Sequence, residues 1–184
     1  PLVSISLPVY NGERYVEEAL DGILAQTYRN LEVIVTDNAS TDSTPSILAR
    51  YAAADDRIRI HRNEKNLGAA PNFNLGFELA RGELFKWCAH DDICAPTFVE
   101  RCVEALQARP DAVLAFPEEI DIDPEGNEIE PRPYPLDTTP APPRERLRRM
   151  LATRRGSPPV FGVIRREVLA QTGLIGSFDE SDQV

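Results

Sequence analysis

The chain has 184 residues, 42% of them hydrophobic, and a formal net charge of −10 at pH 7. This length and composition predict one globular domain with a small appendage and exclude a disordered chain. The negative charge argues against non-specific binding to nucleic acid or to an anionic membrane, and no apolar run approaches the roughly 18 residues that cross a bilayer.

Three cysteines, Cys88, Cys94 and Cys102, are too few and too irregularly spaced for a disulfide framework. They indicate reduced thiols and a cytoplasmic protein, with a peripheral position at the inner face of the membrane as the alternative. A zinc site formed by Cys88, His90 and Cys94 would lack a CxxC pair, so buried structural thiols are the favoured interpretation.

Short β-branched runs alternate with helical patterns through residues 1–116. The apolar spacing predicts strands at residues 3–7, 31–35, 58–60, 84–88 and 112–116, and helices at residues 13–26, 44–53, 71–80 and 96–108. Pro8 is expected to end the first strand. This rhythm predicts an α/β fold with a Rossmann-like, mostly parallel sheet and helices on both faces.

Eight prolines lie within residues 117–143 and exclude a central strand there, because proline donates no ladder hydrogen bond. We expect a surface excursion, with an edge strand near residues 118–122 as one option. A basic helix at 144–152, a strand at 160–164 and a short helix at 166–172 are predicted to follow.

Polar loops follow three of the predicted strands, at residues 8–12, 37–40 and 89–92. Ligands of open parallel sheets bind at the carboxyl ends of the strands, so we expect these loops to share one edge. Sequence motifs for other sites are missing: there is no GxGxxG, no GxxxxGKS/T and no GxSxG. A dinucleotide site, a P-loop and a serine nucleophile elbow are therefore not supported.

Two adjacent carboxylates, Asp91 and Asp92, repel each other unless a cation or proton lies between them. A hard divalent ion such as Mg²⁺ or Mn²⁺ binds such oxygen ligands together with substrate phosphate. The alternative is that Asp92 caps the next helix while Asp91 is solvated. Their position after a buried strand, beside two other polar loops, favours the metal.

The sequence allows two interpretations for Asp37 and two for Tyr10. Asp37 is either a turn residue making an Asx-turn at Asn38 or a carboxylate that accepts hydrogen bonds from a base or ribose. Tyr10 is either a surface aromatic or a stacking platform for a base.

Four segments together resemble family 2 glycosyltransferases of the GT-A fold, the nucleotide-diphospho-sugar transferases. They are VSISLPVYNG at 3–12, QTYRNLEVIVTDNASTD at 26–42, NLG at 66–68 and WCAHDD at 87–92. The resemblance covers most of the chain and is densest over residues 3–92. It implies a single domain over 1–184, truncated at its C-terminus, with a nucleotide-binding half (1–116) and an acceptor-side half (117–184).

The resemblance also implies a nucleotide-diphosphate sugar donor, with UDP-sugar favoured, and a divalent metal, Mn²⁺ or Mg²⁺. It assigns Asp37 to the base, Asp91 to the ribose and Asp92 to the metal, within a DXD-type motif. The loop after the first strand, with Pro8, Tyr10 and Glu13, would line the base pocket. The acceptor would be a glycan, a lipid-linked molecule or a small molecule, as in polysaccharide biosynthesis.

The catalytic base of the family is an Asp preceded by Glu, and the matching position is Asp182, which Ser181 precedes here. Asp179 and Glu180 are neighbouring candidates. The implied reaction is a single in-line displacement that inverts the anomeric carbon, with Asp182 taking the proton of the acceptor hydroxyl. The alternatives are a sugar nucleotidyltransferase and a non-catalytic module that binds a nucleotide sugar.

Overall fold

The computed structural model describes residues 1–118, 120–123, 127–129, 141–152 and 158–176. The strands are β1 Val3–Val9, β2 Leu31–Asp37, β3 Ile58–Arg62, β4 Leu84–Trp87, β5 Leu114–Ala115 and β6 Val163–Arg165. The helices are α1 Val16–Leu24, α2 Thr44–Ala54, α3 Ala69–Leu79, α4 Phe98–Ala108, α5 Pro143–Ala152 and α6 Arg166–Leu169, with a 3₁₀ helix at Pro158–Phe161.

One six-stranded sheet has the order β3-β2-β1-β4-β6-β5. The first four strands of this order are parallel, and β6 runs antiparallel to both β4 and β5. Every residue of β1 is buried, as expected for a central parallel strand covered on both faces. The prediction of a Rossmann-like, mostly parallel sheet is confirmed.

Helices cover both faces of the sheet, and each face has its own core. Helices α1, α2 and α4 pack on one face through residues such as Leu20, Leu48 and Val103. Helices α3 and α6 pack on the other, where Phe77, Phe85 and Trp87 make successive edge-to-face ring contacts. Helix α3 approaches β1 closely at Gly76. A Cβ at this position would overlap the Ser6 hydroxyl, so the close approach requires glycine.

The prediction that Pro8 ends the first strand is wrong. β1 continues through Pro8, which is paired with Thr36 of β2. Along β1 the backbone polar groups alternate in direction: Ser6 O accepts from Cys88 N beyond β4, and Val9 O accepts from Asn38 N beyond β2. The Pro8 nitrogen therefore faces the β4 side, where the register with β4 has already ended at Ser6, so no ladder hydrogen bond is lost.

Two predictions in the second half are also corrected. An edge strand near residues 118–122 is one sequence-based option, but among the described residues 118 and 120–122 only Ile122 pairs, in an isolated bridge to Glu128. The strand predicted at 160–164 is split: Pro158–Phe161 forms a 3₁₀ helix and only Val163–Arg165 is a strand. Two consecutive prolines fix φ and remove backbone donors, which favours a tight turn over a ladder.

Candidate nucleotide-sugar site

The chain reverses its direction across the sheet between β1 and β4. β2 and β3 lie on one side of β1 and β4 lies on the other, so a crevice opens where β1 and β4 end. A cleft of about 280 Å³ occupies this position. It is lined by Pro8, Val9, Tyr10, Asn38, Asn66, Gly68, Ala69, Asn72, Phe73 and His90.

Tyr10 and Pro8 both line the cleft, as the sequence predicts for two of its site residues. The Tyr10 side chain is 44% exposed at the rim, although it follows a fully buried strand. An exposed aromatic ring beside a cleft gives a planar ligand a surface on which to stack.

Asp37 is the last residue of β2, is only 1% exposed and is not among the residues that line the cleft. Its Oδ1 accepts a hydrogen bond from Ser40 N at 3.0 Å, and its Oδ2 pairs with Arg62 Nη1 at 3.0 Å. Both carboxylate oxygens therefore hold neighbouring parts of the protein, which orients the loop that follows β2. The assignment of Asp37 to the base stays a prediction.

Four asparagines form a hydrogen-bonded network that sequence reasoning missed, and three of them line the cleft. Asn38 Nδ2 donates to Asn66 Oδ1 and Gly68 O, while Asn38 Oδ1 accepts from Asn63 Nδ2 and Leu67 N. The network then continues into α3. Its members are Asn38, Asn63, Asn66 and Asn72.

Asn72 connects this network to β2. Its Oδ1 accepts from Asn63 Nδ2, and its Nδ2 donates to Thr36 O at 2.8 Å. Asn38, Asn63 and Asn72 are buried. The network fixes the segment 63–68 and the start of α3 against the sheet, and asparagines at the end of a strand were the signal available in the sequence. We call Asn38, Asn63, Asn66 and Asn72 the asparagine network.

Glu13, a predicted pocket residue, is exposed and joins the end of the first polar loop to the residues that follow the second. Its Oε2 accepts from Ser43 N at 2.9 Å, and its own N–H donates to Asp42 Oδ2 at 3.1 Å. Gly12 N donates to Thr44 Oγ1 in parallel. Glu13 is not among the residues that line the cleft, so what the structure shows is a contact between loops.

The third loop, residues 89–92, reaches the first loop through His90. A Cβ added to Gly12 would lie 2.7 Å from His90 Cδ2, so the two loops are in direct contact. We call residues 89–92 the acidic loop. It brings Asp91 and Asp92 beside the cleft that His90 lines.

Asp91 and Asp92 are both exposed, and Asp92 N donates to Ala89 O at 3.3 Å. Desolvation by the surrounding protein raises the pKa of Asp92 above 3.8, and the charge of Asp91 adds to this. Lys86, buried at the end of β4, opposes part of the shift through its positive charge. The capping interpretation of Asp92 is wrong, because α4 begins at Phe98 with Thr97 as its N-cap.

The acidic loop provides one or two carboxylate ligands for a hard cation, which would take its other ligands from a bound phosphate and water. Within the described ranges, no group of three or more His, Cys, Asp or Glu side chains could hold a metal ion by itself. Desolvation and the neighbouring charge of Asp91 raise the pKa of Asp92, and a divalent cation would offset both effects. Mg²⁺ is commonly bound by one or two carboxylates plus substrate phosphates. The donor set fits such an ion when a phosphorylated ligand completes the site.

The candidate base Asp182 lies outside the described residues, as do Asp179 and Glu180. The segment that leads toward them is held to α3. Asn74 Nδ2 donates to Ile175 O at 2.9 Å, and Asn74 Oδ1 accepts from Ile175 N at 3.1 Å. Ile175 is thus fixed to the residue that follows Phe73, which lines the cleft, and it precedes Asp182 by seven residues.

A second cavity of about 560 Å³ lies at the opposite edge of the sheet, where β4 begins. Arg165 and Arg166 line it, but their guanidinium groups donate to backbone carbonyls of Ala112, Leu106 and Gly82. These arginines serve the fold, so the smaller cleft is the candidate site. In the described part of the chain, no helix is long and apolar enough to span a bilayer.

The chain is similar in sequence to a known protein and in structure to two others. An uncharacterized glycosyltransferase of Rickettsia typhi is 42% identical over 106 residues, which are 58% of this chain and 32% of that protein. S. aureus TarS 1-349 in complex with UDP-GlcNAc has a TM-score of 0.67 at 21% identity, over 92% of this chain and 47% of that one. The mannosyltransferase PcManGT from Pyrobaculum calidifontis, in complex with GDP-Man and Mn²⁺, has a TM-score of 0.69 at 23% identity, over 98% and 49%.

These two solved structures confirm the GT-A fold. The chain spans about a third of the Rickettsia relative and about half of each of the two structures. A family model described as "Glycosyl transferase family 2" matches residues 4–173, which is most of the sequence. The chain therefore belongs to glycosyl transferase family 2.

Proposed function

We propose that this chain is the catalytic domain of an inverting, metal-dependent glycosyltransferase that moves a sugar from a nucleotide-diphosphate sugar to an acceptor hydroxyl. The observation that carries the proposal is the cleft at the β1/β4 switch point, which is lined by Tyr10, by Asn38, Asn66 and Asn72 of the asparagine network, and by His90 of the acidic loop. In this proposal residues 1–116 bind the donor, and residues 117–184 form the acceptor side of a single domain.

The nucleotide lies with its base against Pro8 and Tyr10, and a UDP-sugar is the favoured donor. TarS and PcManGT, which share the fold, are described with UDP-GlcNAc and with GDP-Man. Asp37 contributes by holding Ser40 and Arg62 in place beneath the base, in addition to any contact its carboxylate makes when the ligand binds. Glu13 keeps the first loop closed on the second.

Asp92 would hold the divalent metal, Mn²⁺ or Mg²⁺, while Asp91 faces the ribose. When bound, the metal supplies positive charge that stabilises the departing diphosphate. The raised pKa of Asp92 supports this role, because a carboxylate with an unfavourable charged state gains from a cation beside it. PcManGT is described in complex with Mn²⁺.

Asp182 would remove the proton of the acceptor hydroxyl as that oxygen attacks the anomeric carbon in line with the leaving diphosphate. The hydrogen bonds from Asn74 to Ile175 support this assignment, since they bring the preceding segment next to α3. The acceptor is a glycan, a lipid-linked molecule or a small molecule, consistent with polysaccharide biosynthesis.

A thermal-shift panel of UDP-, GDP- and dTDP-sugars, each with and without Mn²⁺, tests donor binding. At about 100 times its dissociation constant, a ligand of the folded state adds roughly 2.7 kcal/mol of stability. At least one donor should raise the melting temperature only with Mn²⁺. Asp92→Ala should abolish the rise, and the exposed control Asp56→Ala should keep it. No shift with any donor contradicts the proposal.

Catalysis is separated from binding by Asp182→Asn. This variant should keep the metal-dependent shift and lose sugar transfer or donor hydrolysis, measured as release of nucleoside diphosphate. Equal release by wild type and Asp182→Asn would contradict the assignment of the base, and absence of release from both would favour a binding module. Pyrophosphate release from UTP and a sugar phosphate would favour a nucleotidyltransferase instead.

A further inference from the structure

Two of the three cysteines are held against each other beneath the acidic loop. Cys88 Sγ and Cys94 Sγ are 3.6 Å apart, and both thiols are free. Cys88 is fully buried and Cys94 is 5% exposed. The two residues enclose the segment 89–93, which contains His90, Asp91 and Asp92.

Each of these cysteines is anchored from a different direction. Cys88 N donates to Ser6 O at 2.8 Å, which continues the ladder between β4 and β1. On the other side, Gln26 Nε2 donates to Ala95 O at 2.8 Å, and Gln26 Oε1 accepts from Val99 N at 2.9 Å. Gln26 is fully buried, so it fixes the backbone that follows Cys94.

The segment between the two anchored cysteines is more exposed than the cysteines themselves. Asp91, Asp92 and Ile93 are exposed, and Asp92 N donates to Ala89 O within the loop itself. A disulfide bond is about 2.05 Å long, so joining the two sulfurs requires them to approach by roughly 1.5 Å. Because the flanking backbone is anchored, this movement falls mainly on the acidic loop.

We propose that Cys88 and Cys94 are a redox modification site at which a peroxide forms a reversible disulfide that closes a ring around the acidic loop. Cys94, the more accessible thiol, attacks hydrogen peroxide; the O–O bond breaks, one water leaves and Cys94 becomes a sulfenic acid. Cys88 then attacks the Cys94 sulfur, and the hydroxyl group leaves as a second water. In total two thiols lose two electrons and two protons, and one peroxide is reduced to two waters.

The consequence for ligand binding rests on the proposed function. His90 lines the cleft and contacts the first loop beside Gly12, so movement of the acidic loop changes the cleft as well as the position of Asp92. The oxidised protein should therefore bind its donor and metal several-fold more weakly than the reduced protein. Reduction by dithiothreitol should restore the affinity.

Cys102 provides an internal control. It is buried on α4 and is not paired with another thiol among the described residues. Burial raises the pKa of the Cys102 thiol to about 11, so this thiol is poorly reactive. Cys102→Ser removes one thiol and leaves the Cys88–Cys94 pair intact.

The test treats the reduced protein with hydrogen peroxide and measures intact mass and free thiols after denaturation. Wild type and Cys102→Ser should each lose two thiols and two hydrogen atoms as monomers, reversibly with dithiothreitol. Cys94→Ser and, as a second variant, Cys88→Ala should not. Retention of all thiols by wild type, or equal loss in Cys94→Ser, would overturn the proposal.

Donor affinity is then measured in both redox states. Weaker binding in oxidised wild type, with none of this weakening in Cys94→Ser, supports control of the cleft by the disulfide. Unchanged affinity in a protein shown by mass to be oxidised overturns that control. A disulfide that forms in a protein that binds no donor in either state contradicts the proposed function but supports the modification site.

Discussion

The two sides of the cleft are built in different ways. On the β2 side, the asparagine network joins three buried amides and the exposed amide of Asn66 to each other and to backbone groups of Thr36, Leu67 and Gly68. On the β4 side, the acidic loop places two exposed carboxylates next to each other, and Asp92 stands in surroundings that disfavour its charge.

One side of the cleft is therefore fully formed by the protein alone, whereas the other side needs a bound ligand to balance its charge. Within the asparagine network, the buried side chains of Asn38 and Asn72 have protein partners for both their donors and their acceptors, so that side of the cleft is formed before any ligand arrives. The acidic loop keeps an unfavourable concentration of negative charge, which a cation and a diphosphate would neutralise. We therefore expect substitutions in the asparagine network to change stability and substitutions in the acidic loop to change metal-dependent binding.

The largest expected effect on stability is that of Asn38→Ala. The variant removes four hydrogen bonds made by one buried side chain, which should cost about 2 kcal/mol of unfolding free energy. Urea denaturation measures the loss. The exposed Asn127→Ala, whose side chain bonds to Asp123, should change stability by less than about 0.5 kcal/mol; equal losses in the two variants would show that the network is not special.

Gly12→Ala tests the contact between the loop that follows β1 and the acidic loop. A Cβ at Gly12 would lie 2.5 Å from Val9 Cγ2 and 2.7 Å from His90 Cδ2, so the acidic loop has to shift. We expect a stability loss of about 1–2 kcal/mol together with weaker metal-dependent donor binding. Gly173→Ala meets no atom within 4 Å and should change neither quantity; normal donor binding by Gly12→Ala would contradict the contact.

A smaller effect of opposite sign is expected for Asp92→Asn. The folded protein raises the pKa of Asp92 above 3.8, so the ionised carboxylate destabilises the fold, and this penalty grows as the pH rises from 3.8 through the raised pKa. Asp92→Asn should therefore be more stable than wild type at pH 7 and equal to it below pH 3.8. Thermal unfolding across this range, with exposed Asp56→Asn as the control, measures the difference; a variant less stable at pH 7 would contradict it.

The β1–α1–β2 and β3–α3–β4 units follow directly from hydrophobic periodicity, and Pro8 and the 118–122 segment show its limits. Whether proline is tolerated depends on which neighbour its nitrogen faces, and this is a property of the whole sheet rather than of the sequence nearby. The single bridge from Ile122 and the split of residues 158–165 likewise depend on tertiary pairing.

The candidate site was predictable as a set of loops but not as a set of contacts. The rule that ligands bind at the carboxyl ends of parallel strands located Pro8, Tyr10 and the acidic loop. It did not reveal that Asn38 and Asn72 meet through Asn63, because their hydrogen bonds depend on distances fixed only after folding. It also did not reveal that both oxygens of Asp37 already have protein partners.

The most direct test of the central claim is a ¹H–¹⁵N spectrum of the protein with a UDP-sugar, first with Mg²⁺ and then with Mn²⁺. Paramagnetic Mn²⁺ broadens the amide resonances nearest to it. The account predicts broadening at Gly12, His90 and Asp92, with no change at Leu106 and Arg165 beside the larger cavity, and loss of the effect in Asp92→Asn. Broadening centred on the larger cavity, or none at the acidic loop in wild type, would contradict it.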